Sequence, residues 1–422
     1  MEEMEIIREM LDFIKKSPTQ YHAVANFKEL CLKNGFIELD ERKRFSIERG
    51  KSYFVSRGSG SIIAFRVPDC DFECFSIIEA HTDSPTFRLK RNAEVNSTPY
   101  YTTLNVESYG GTIISTWFDR PLSVAGRIFV DNGEELREVL VDAETDLVLI
   151  PNLAIHLNRE INSGYHYHVQ KDVQPLFSMG KGSILDFFAK KYGINSDEIS
   201  DYDLFLYNRS QYSVWGADGE FISSPRLDDM ECAYLAMQGL FDAESGSSFP
   251  LVALFDNEEV GSSSQRGALS DFLSNTLSRI SISLSVDREM EMMAYASSLV
   301  LSADNGHAVH PNYPEKSDIS NKTVLNGGVV IKYSANQKYT SDASTSSVIR
   351  SLMRRNGIKC QDYFNHSDIV GGSTLGNLSI QKVSIPTVDV GLAELAMHSS
   401  YESGGRYDVK ELSALFKAFL SR

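Results

Sequence analysis

Two adjacent glutamates, Glu258 and Glu259, stand directly after an apolar run at residues 251–255, LVALF. The run has the length of a buried strand, and Gly261 with the serines after it indicates a turn. Neighbouring carboxylates at the end of a buried strand are costly unless they are paired. A divalent metal ion removes that cost, because one glutamate can bind the ion while the other acts as a general base on water. A solvated acidic loop explains this stretch alone equally well.

Four further stretches repeat the arrangement. His81 and Asp304 each follow an apolar, strand-like segment, and His398 follows another at a short distance. Ligands of open α/β sheets bind beyond the carboxyl ends of the strands, so these side chains are expected to meet. Asp228 begins a predicted helix, where the macrodipole favours an ionised carboxylate able to bridge two cations. The two-residue spacing places Asp83 on the same side as His81, whose free ring N–H it would orient.

The predicted ligands are imidazole and carboxylate without thiolate. This set suits zinc, manganese or cobalt and does not separate them. Asp228, Glu259 and Asp304 carry three negative charges, and Glu258 adds a fourth. Two divalent ions with a bridging hydroxide nearly neutralise these charges, whereas one ion leaves the group anionic. The sequence therefore predicts two divalent ions.

The composition is that of an ordinary globular protein of 422 residues, long enough for two or three structural units. A net charge of −16 argues against nucleic acid or an anionic membrane as a partner. The first residues lack the basic start of a signal peptide, and no apolar run approaches membrane-spanning length. Five scattered cysteines are typical of a reducing compartment, so we expect a cytoplasmic location.

The elements that must position these side chains fall into two predicted domains. Residues 1–91 and 219–422 alternate between helical and strand patterns, which indicates an α/β core with a mixed sheet and helices on both faces. Residues 92–218 contain many short alternating segments, and Asp131-Asn132-Gly133 is a hairpin signal. This stretch is too long for a loop, so an inserted β-rich domain is expected.

Individual elements are predicted within this outline. Residues 111–118 and 147–150 have the alternation of strands in the inserted domain. Asp408 is the expected N-cap of the last helix, at residues 409–421.

Five motifs together closely resemble the M18 family, the aspartyl aminopeptidase-like dinuclear zinc exopeptidases. They occur in the family's order across essentially the whole chain, so the likeness is specific. The motifs are residues 81–85 (HTDSP), 225–229 (PRLDD), 256–262 (DNEEVGS), 302–313 (SADNGHAVHPNY) and 396–399 (AMHS). The resemblance implies a cytoplasmic, metal-dependent aminopeptidase that removes residues from peptides with a free N-terminus, with zinc as the expected metal.

The resemblance also implies a role for each candidate ligand. Asp228 would bridge two ions, His81 and Asp304 would bind one of them, and Glu259 and His398 would bind the other. These five residues would hold two divalent ions in each subunit, with cobalt or manganese as alternatives to zinc.

Catalysis by this family implies that a metal-bound hydroxide attacks the peptide carbonyl. Glu258 would be the general base, and Asp83 would orient His81. Five residues match segments of the substrate pocket: Lys332, Tyr339, Gly372, Ser373 and Thr374.

The family's inserted domain implies dimerisation, and its members commonly assemble as tetrahedral dodecamers. His156 matches a histidine that reaches the active site of a neighbouring subunit. Its neighbours Leu153, Ala154, Ile155 and Leu157 are mostly apolar, and by themselves they favour a histidine buried within its own domain.

Two departures leave the preferred N-terminal residue open between acidic and neutral or apolar ones. Ser400-Tyr401-Glu402 stands where the family usually has Ile-Arg-Glu, and Asp229 stands where eukaryotic members tend to have Asn. Two other functions are considered: a related dinuclear deacylase acting on N-acyl small molecules, and a catalytically silent scaffold shell. The presence of all five ligands and Glu258 argues against the scaffold.

Overall fold

The computed structural model describes residues 2–244 and 246–422. By its internal contacts the chain divides into two compact units. The first comprises residues up to Asp83, Tyr212–Met397 and Glu402–Arg422, and the second comprises Ser84–Gln211 and His398–Tyr401. The sequence-based boundaries at 91/92 and 218/219 lie a few residues beyond these divisions. The dimerisation role assigned to the inserted domain stays a prediction.

The first unit begins with two helices and four strands. These are α1 (Glu2–Lys16), α2 (Gln20–Lys33), β1 (Ile37–Leu39), β2 (Ser52–Arg57), β3 (Ser61–Arg66) and β4 (Cys74–His81). Ile7, Met10, Leu11 and Ile14 are fully buried, as their helical spacing predicts. Helix α2 ends where Gly35 adopts the left-handed conformation, φ +78°.

The second unit is β-rich and has its own core. Its elements are β5 (Thr86–Val95), β6 (Tyr101–Tyr109), β7 (Leu122–Asp131), β8 (Leu136–Asp142), α3 (Val169–Asp172), β9 (Leu176–Met179), α4 (Ile184–Tyr192) and β10 (Ile199–Asn208). The six strands form one antiparallel sheet in the order β8-β7-β10-β5-β6-β9. The predicted hairpin turn joins β7 to β8. Ile184 and Phe188 of α4 pack into the apolar core of the sheet.

The remainder of the first unit alternates between strands and helices. Its elements are β11 (Ser213–Trp215), β12 (Phe221–Ser224), α5 (Leu227–Phe241), β13 (Ser248–Phe255), α6 (Phe272–Ser283), α7 (Arg288–Ser297), β14 (Leu299–Ala303), β15 (Gly306–His307), β16 (Val329–Tyr333), α8 (Ala343–Arg355), β17 (Cys360–Phe364), α9 (Gly376–Ser379), β18 (Thr387–Gly391), β19 (Ala393–Leu395), β20 (Glu402–Gly405) and α10 (Asp408–Leu420).

A nine-stranded sheet forms the centre of the first unit, in the order β1-β2-β3-β13-β4-β14-β18-β16-β17. Strands β13, β4, β14 and β18 are parallel, whereas β3 and β16 run antiparallel to their neighbours in this group. Ile78 and Val252 pack with α1, α2, α5, α8 and α10, and Ile77 and Leu251 pack on the opposite face with α6 and α7. The predicted mixed sheet with helices on both faces is confirmed. A second sheet has the order β11-β12-β20-β19-β15.

Three local predictions are wrong. Within residues 111–118, Ile114–Trp117 is a 3-10 helix, in which the backbone N–H of Thr116 donates to the carbonyl of Ile113. This turn places Trp117 in a buried position. Residues 147–150 make only isolated bridges to three separate segments, so they form no regular strand. The carboxylate of Asp408 accepts hydrogen bonds from Asn326 and Gly328 at 2.6 and 2.7 Å, and no side-chain cap is made at the start of α10.

Among the helices of residues 2–244 and 246–422, none combines the length and apolar character needed to cross a membrane.

Candidate metal centre

Three neighbouring parallel strands bring the first candidate residues to one edge of the central sheet. Strand β4 ends at His81, which lies opposite Phe255, the last residue of β13. Strand β14 ends at Ala303, and Asp304 follows it at the same edge. Because parallel strands end at a common edge, segments more than a hundred residues apart in sequence meet there.

The side chains at this edge form one tight group. Candidate ligand atoms of His81, Asp228 and Asp304 lie within 4.8 Å of one another, and so do those of His81, Glu258 and Glu259. His81 Nε2 is 3.6 Å from Asp228 Oδ1. His81, Asp228 and Asp304 are buried, and the two glutamates are half-buried. The structure therefore brings together four of the five predicted ligands and the predicted base.

The ring of His81 is held by the backbone of Asp83. Its Nδ1 donates to the carbonyl oxygen of Asp83 at 3.0 Å, so Nε2, which faces Asp228, is the ring atom that can bind an ion once it is deprotonated. The carboxylate of Asp83 is farther from the ring, at 3.5 Å, and accepts from the backbone N–H groups of Glu258 and Glu259 at 3.1 and 3.2 Å. Asp83 thus links the histidine to the glutamate pair.

Asp228 lies just before the first regular turn of α5, because Asp228 and Asp229 have non-helical backbone angles and a cis peptide bond between them. The backbone N–H of Asp228 donates to Glu402 at 3.2 Å, and Asp229 accepts from the backbone N–H of His81 at 3.1 Å. The position of Asp228 therefore depends on these tertiary hydrogen bonds rather than on a helical first turn.

Buried charge dominates the electrostatics. Burial raises the pKa of Glu258 to about 8, with His81 opposing the shift and Asp304 adding to it. Burial also raises the pKa of Asp304, and Lys332 opposes it. Burial lowers the pKa of His81, but hydrogen bonds with Asp228 and Asp83 outweigh it and hold that pKa well above its usual value. A cluster of mutually repelling carboxylates beside an imidazole is the donor set that zinc, manganese or cobalt takes, so these residues fit a divalent ion.

A second layer of carboxylates lies behind Asp228 and was missed by sequence reasoning. Glu394, Glu402 and Asp228 have candidate ligand atoms within 4.8 Å of one another. Asn305 donates to Glu231 at 2.8 Å and to Glu394 at 3.4 Å. Burial, followed by repulsion from Glu402, raises the pKa of Glu394 well above its usual value. Only tertiary packing places these residues together, and no local sequence signal marks them.

Lys332 and Tyr339 border the metal-binding group. Lys332 is almost completely buried, and its Nζ donates to the carbonyl of Asn305 at 3.0 Å and lies 3.6 Å from Asp304 Oδ1. The same nitrogen is 5.2 Å from the centre of the Tyr339 ring. A cation and an aromatic face are therefore fixed beside one of the predicted ligands.

A cavity of about 380 Å³ lies in the same unit. Gly372 contributes to its wall, while Ser373 is half-buried and Thr374 is buried. Three histidines also line it, His307, His310 and His366. His307 and His310 stand within the motif at 302–313, but neither was predicted to have a role.

The two remaining candidate histidines, His156 and His398, belong to the second unit. His398 is half-buried, and its Nδ1 donates to the carbonyl of Gly111 at 2.9 Å, which fixes the tautomer with a lone pair on Nε2. His156 is exposed in a turn, so the local interpretation of a buried histidine is wrong. Its neighbours Leu153, Ile155 and Leu157 are also exposed.

Comparison with known proteins agrees with this fold and shows the family. The family model described as aminopeptidase I zinc metalloprotease (M18) matches residues 13–420. A probable M18 family aminopeptidase 2 of Clostridium novyi (strain NT) is 43% identical over 422 residues, covering 97% of each chain. Its counterpart in Pseudomonas aeruginosa (strain UCBPP-PA14) is 37% identical over 425 residues, covering 98% of each chain.

Solved structures give the same result. A chain in the cryo-EM structure of the Ape4 and Nbr1 complex is 34% identical with a TM-score of 0.95, covering 99% of this chain and 86% of that one. The S. cerevisiae mApe1 dodecamer subunit is 28% identical with a TM-score of 0.84, covering 98% and 95%. The fold and these relatives define a metallo-aminopeptidase, a hydrolase that acts at N-terminal residues. The chain belongs to the M18 family of zinc aminopeptidases.

Proposed function

We propose that this aminopeptidase uses two divalent ions, most simply zinc, with Glu258 as its general base. The observation that carries the proposal is the meeting of His81, Asp228, Asp304, Glu258 and Glu259 at one edge of the central sheet. Asp228 would be shared between the ions, with His81 and Asp304 on one of them. Glu259 and His398 are proposed for the other ion, the latter from its motif and its fixed tautomer.

When bound, the ions would polarise the scissile carbonyl and lower the pKa of a water molecule to about 7. The carboxylate of Glu258 would accept the proton of the attacking water and deliver it to the leaving amine. Burial raises the pKa of Glu258, and bound cations would lower it again, which would leave the carboxylate free to accept this proton. Asp83 would fix the geometry, since its carboxylate accepts from the backbone of Glu258 and its carbonyl orients His81.

Acidic side chains around the site suit a substrate with a positively charged α-amino group, and this limits cleavage to free N-termini. Lys332, Tyr339 and residues 372–374 are proposed to contact the substrate. Lys332 lies beside Asp304, and the ring of Tyr339 lies beside Lys332. The preferred N-terminal residue is left to experiment.

We further propose that the enzyme works in the cytoplasm as a homo-oligomer built from dimers, up to a tetrahedral dodecamer. A dodecamer is the assembly of the S. cerevisiae relative. The exposed apolar residues around His156 suit a contact with a second copy. In a symmetric pair, the histidine of each subunit would stabilise the oxyanion in the site of the other.

The test is a panel of aminoacyl chromogenic substrates carrying Asp, Glu, Leu, Met or Lys, assayed with zinc, cobalt and manganese. We expect hydrolysis of at least one substrate, its loss after chelation and its return with a divalent ion. N-acetylated versions serve as controls and should resist cleavage. Preferential cleavage of N-acylated compounds would instead identify a deacylase. Full activity in a sample shown by elemental analysis to be free of metal would contradict the proposed mechanism.

A further inference from the structure

Asp389 is a fully buried carboxylate in the middle of the central sheet. It lies on β18, opposite Ser302 of β14 on one side and Lys332 of β16 on the other. A carboxylate in such a place costs free energy unless its oxygens accept hydrogen bonds. The groups that donate hydrogen bonds to the Asp389 carboxylate therefore indicate the role of this residue.

Two irregular segments supply those donors. Residues 334–342 connect β16 to α8 and carry Tyr339, and residues 365–375 connect β17 to α9 and carry Gly372, Ser373 and Thr374. Apart from an isolated bridge between Asn365 and Ser317, neither segment has a ladder or helix of its own to fix its backbone. Their positions depend on side-chain anchors.

Asp389 anchors each segment. Its Oδ2 accepts from the backbone N–H of Thr340 at 2.5 Å and from the Thr340 hydroxyl at 2.6 Å. Its Oδ1 accepts from the hydroxyl of Thr374. Its own backbone N–H donates to the hydroxyl of Ser341 at 2.9 Å. Thr340 directly follows Tyr339, and Thr374 is the last residue of the 372–374 segment, so one bond ends next to a proposed substrate contact and the other ends at one.

We propose that Asp389 is a positioning residue that holds the Tyr339 segment and the 372–374 segment in one arrangement for substrate binding. The inference rests on the proposed function, because it takes these two segments as the substrate side of the site. Asp389 itself touches neither substrate nor the reacting atoms. Its effect should therefore appear in KM, with kcat and metal content little changed.

The experiment removes the hydroxyl donors while preserving side-chain volume. Thr374→Val removes the hydroxyl hydrogen bond that links the 372–374 segment to Asp389. We expect KM to rise about tenfold, the effect of losing one hydrogen bond to a charged acceptor. Thr340→Val should raise KM less, because the backbone N–H of residue 340 still donates to Asp389. Thr387→Val is the matched control, since Thr387 is buried on the same strand and donates only locally, to the carbonyl of Ile385 at 2.9 Å. It should leave KM unchanged.

Asp389→Asn completes a double-mutant cycle. We call Asp389 and its bonds to Thr340 and Thr374 the clamp. If the clamp holds the two segments as proposed, adding Thr374→Val to Asp389→Asn should raise KM by less than Thr374→Val does alone. Thermal unfolding and elemental analysis accompany each variant. A variant that loses kcat, metal and thermal stability together, with no separate change in KM, would show a merely structural role and overturn the inference.

Tyr339→Ala separates the inference from the function on which it rests. A raised KM in Tyr339→Ala with wild-type KM in both threonine variants would overturn the clamp and leave the substrate assignment intact. An unchanged KM in Tyr339→Ala would remove the substrate assignment and the clamp with it. A raised KM in Tyr339→Ala and in Thr374→Val, with a wild-type control and a smaller effect of Thr374→Val in the Asp389→Asn background, would support both.

Discussion

The two units of this chain carry candidate functional residues in opposite environments. In the first unit His81, Asp228 and Asp304 are 1%, 2% and 8% exposed, and they concentrate charge in a buried place. In the second unit His156 is exposed, and Leu153 and Leu157 beside it are 59% and 75% exposed. Buried carboxylates are stabilised by cations, whereas exposed leucines are stabilised by a surface that covers them. Each unit thus indicates what it binds, because its buried charge or exposed apolar surface costs free energy until a partner covers or neutralises it.

The largest expected effect distinguishes the roles of the two adjacent glutamates in the first unit. Glu258→Gln should retain the metals and lower kcat by about 10²–10⁴, because an amide cannot accept the proton. Glu259→Gln should instead lower metal occupancy, because it removes a charged ligand. Elemental analysis and steady-state kinetics on the two variants check this. The opposite pattern would exchange the roles of the two residues.

The next effect tests the second unit. His156→Ala should lower kcat by roughly 10²–10³, as for loss of an oxyanion donor, with metal content unchanged. His166→Ala is a matched control, because His166 is another exposed histidine of the same unit. It should have little effect.

Mixing subunits determines whether His156 acts across an interface. Assemblies that combine Glu258→Gln and His156→Ala subunits would contain some sites with both residues intact, so activity should reappear. Native mass spectrometry would verify that mixed assemblies form. Verified hybrids as inactive as the two parents would exclude action in trans.

The smallest effect concerns a buried carboxyl with no proposed ion beside it. Burial raises the pKa of Asp408 to about 7, although backbone N–H groups of Gly328 and Asn326 oppose the shift. The unfolded pKa is 3.8, so the folded state binds the proton more tightly and loses stability as pH rises from about 4 to 7. Asp408→Asn has no such titration. The melting temperature of this variant minus that of the metal-saturated wild type should therefore rise between pH 5 and pH 8.

Asp318→Asn is the control for that pH series. Backbone hydrogen bonds from Asn321 and Ser320 hold the pKa of Asp318 well below its usual value, so it is ionised from pH 5 to 8 in the folded and unfolded states. Its melting-temperature difference should be independent of pH over this range. A flat difference for Asp408→Asn as well would contradict the shift assigned to Asp408.

Sequence periodicity predicted the regular elements well where burial decides them. The apolar runs ending at Phe255 and Ala303 became central strands, and the residues after them were correctly expected at one edge. Prediction failed where tertiary contacts decide the outcome. Glu394 and Glu402 carry no local signal of their burial beside Asp228. The apolar flanks of His156 favoured burial, and the exposed turn there reflects a surface that a single chain does not cover.

The order of strands in the central sheet also means that the metal-binding group forms only when the chain folds. His81 and Phe255 are direct neighbours across β4 and β13, yet Ser84–Gln211 of the second unit lies between them along the chain. An unfolded chain keeps His81 far from Glu258 and Glu259, which follow Phe255, and so would have little affinity for a metal ion. Metal binding is therefore coupled to folding by mass action, and free ion at 100 times its dissociation constant would add about 2.7 kcal/mol to the stability of the folded state. Metal supply would thus control the lifetime of the enzyme as well as its turnover.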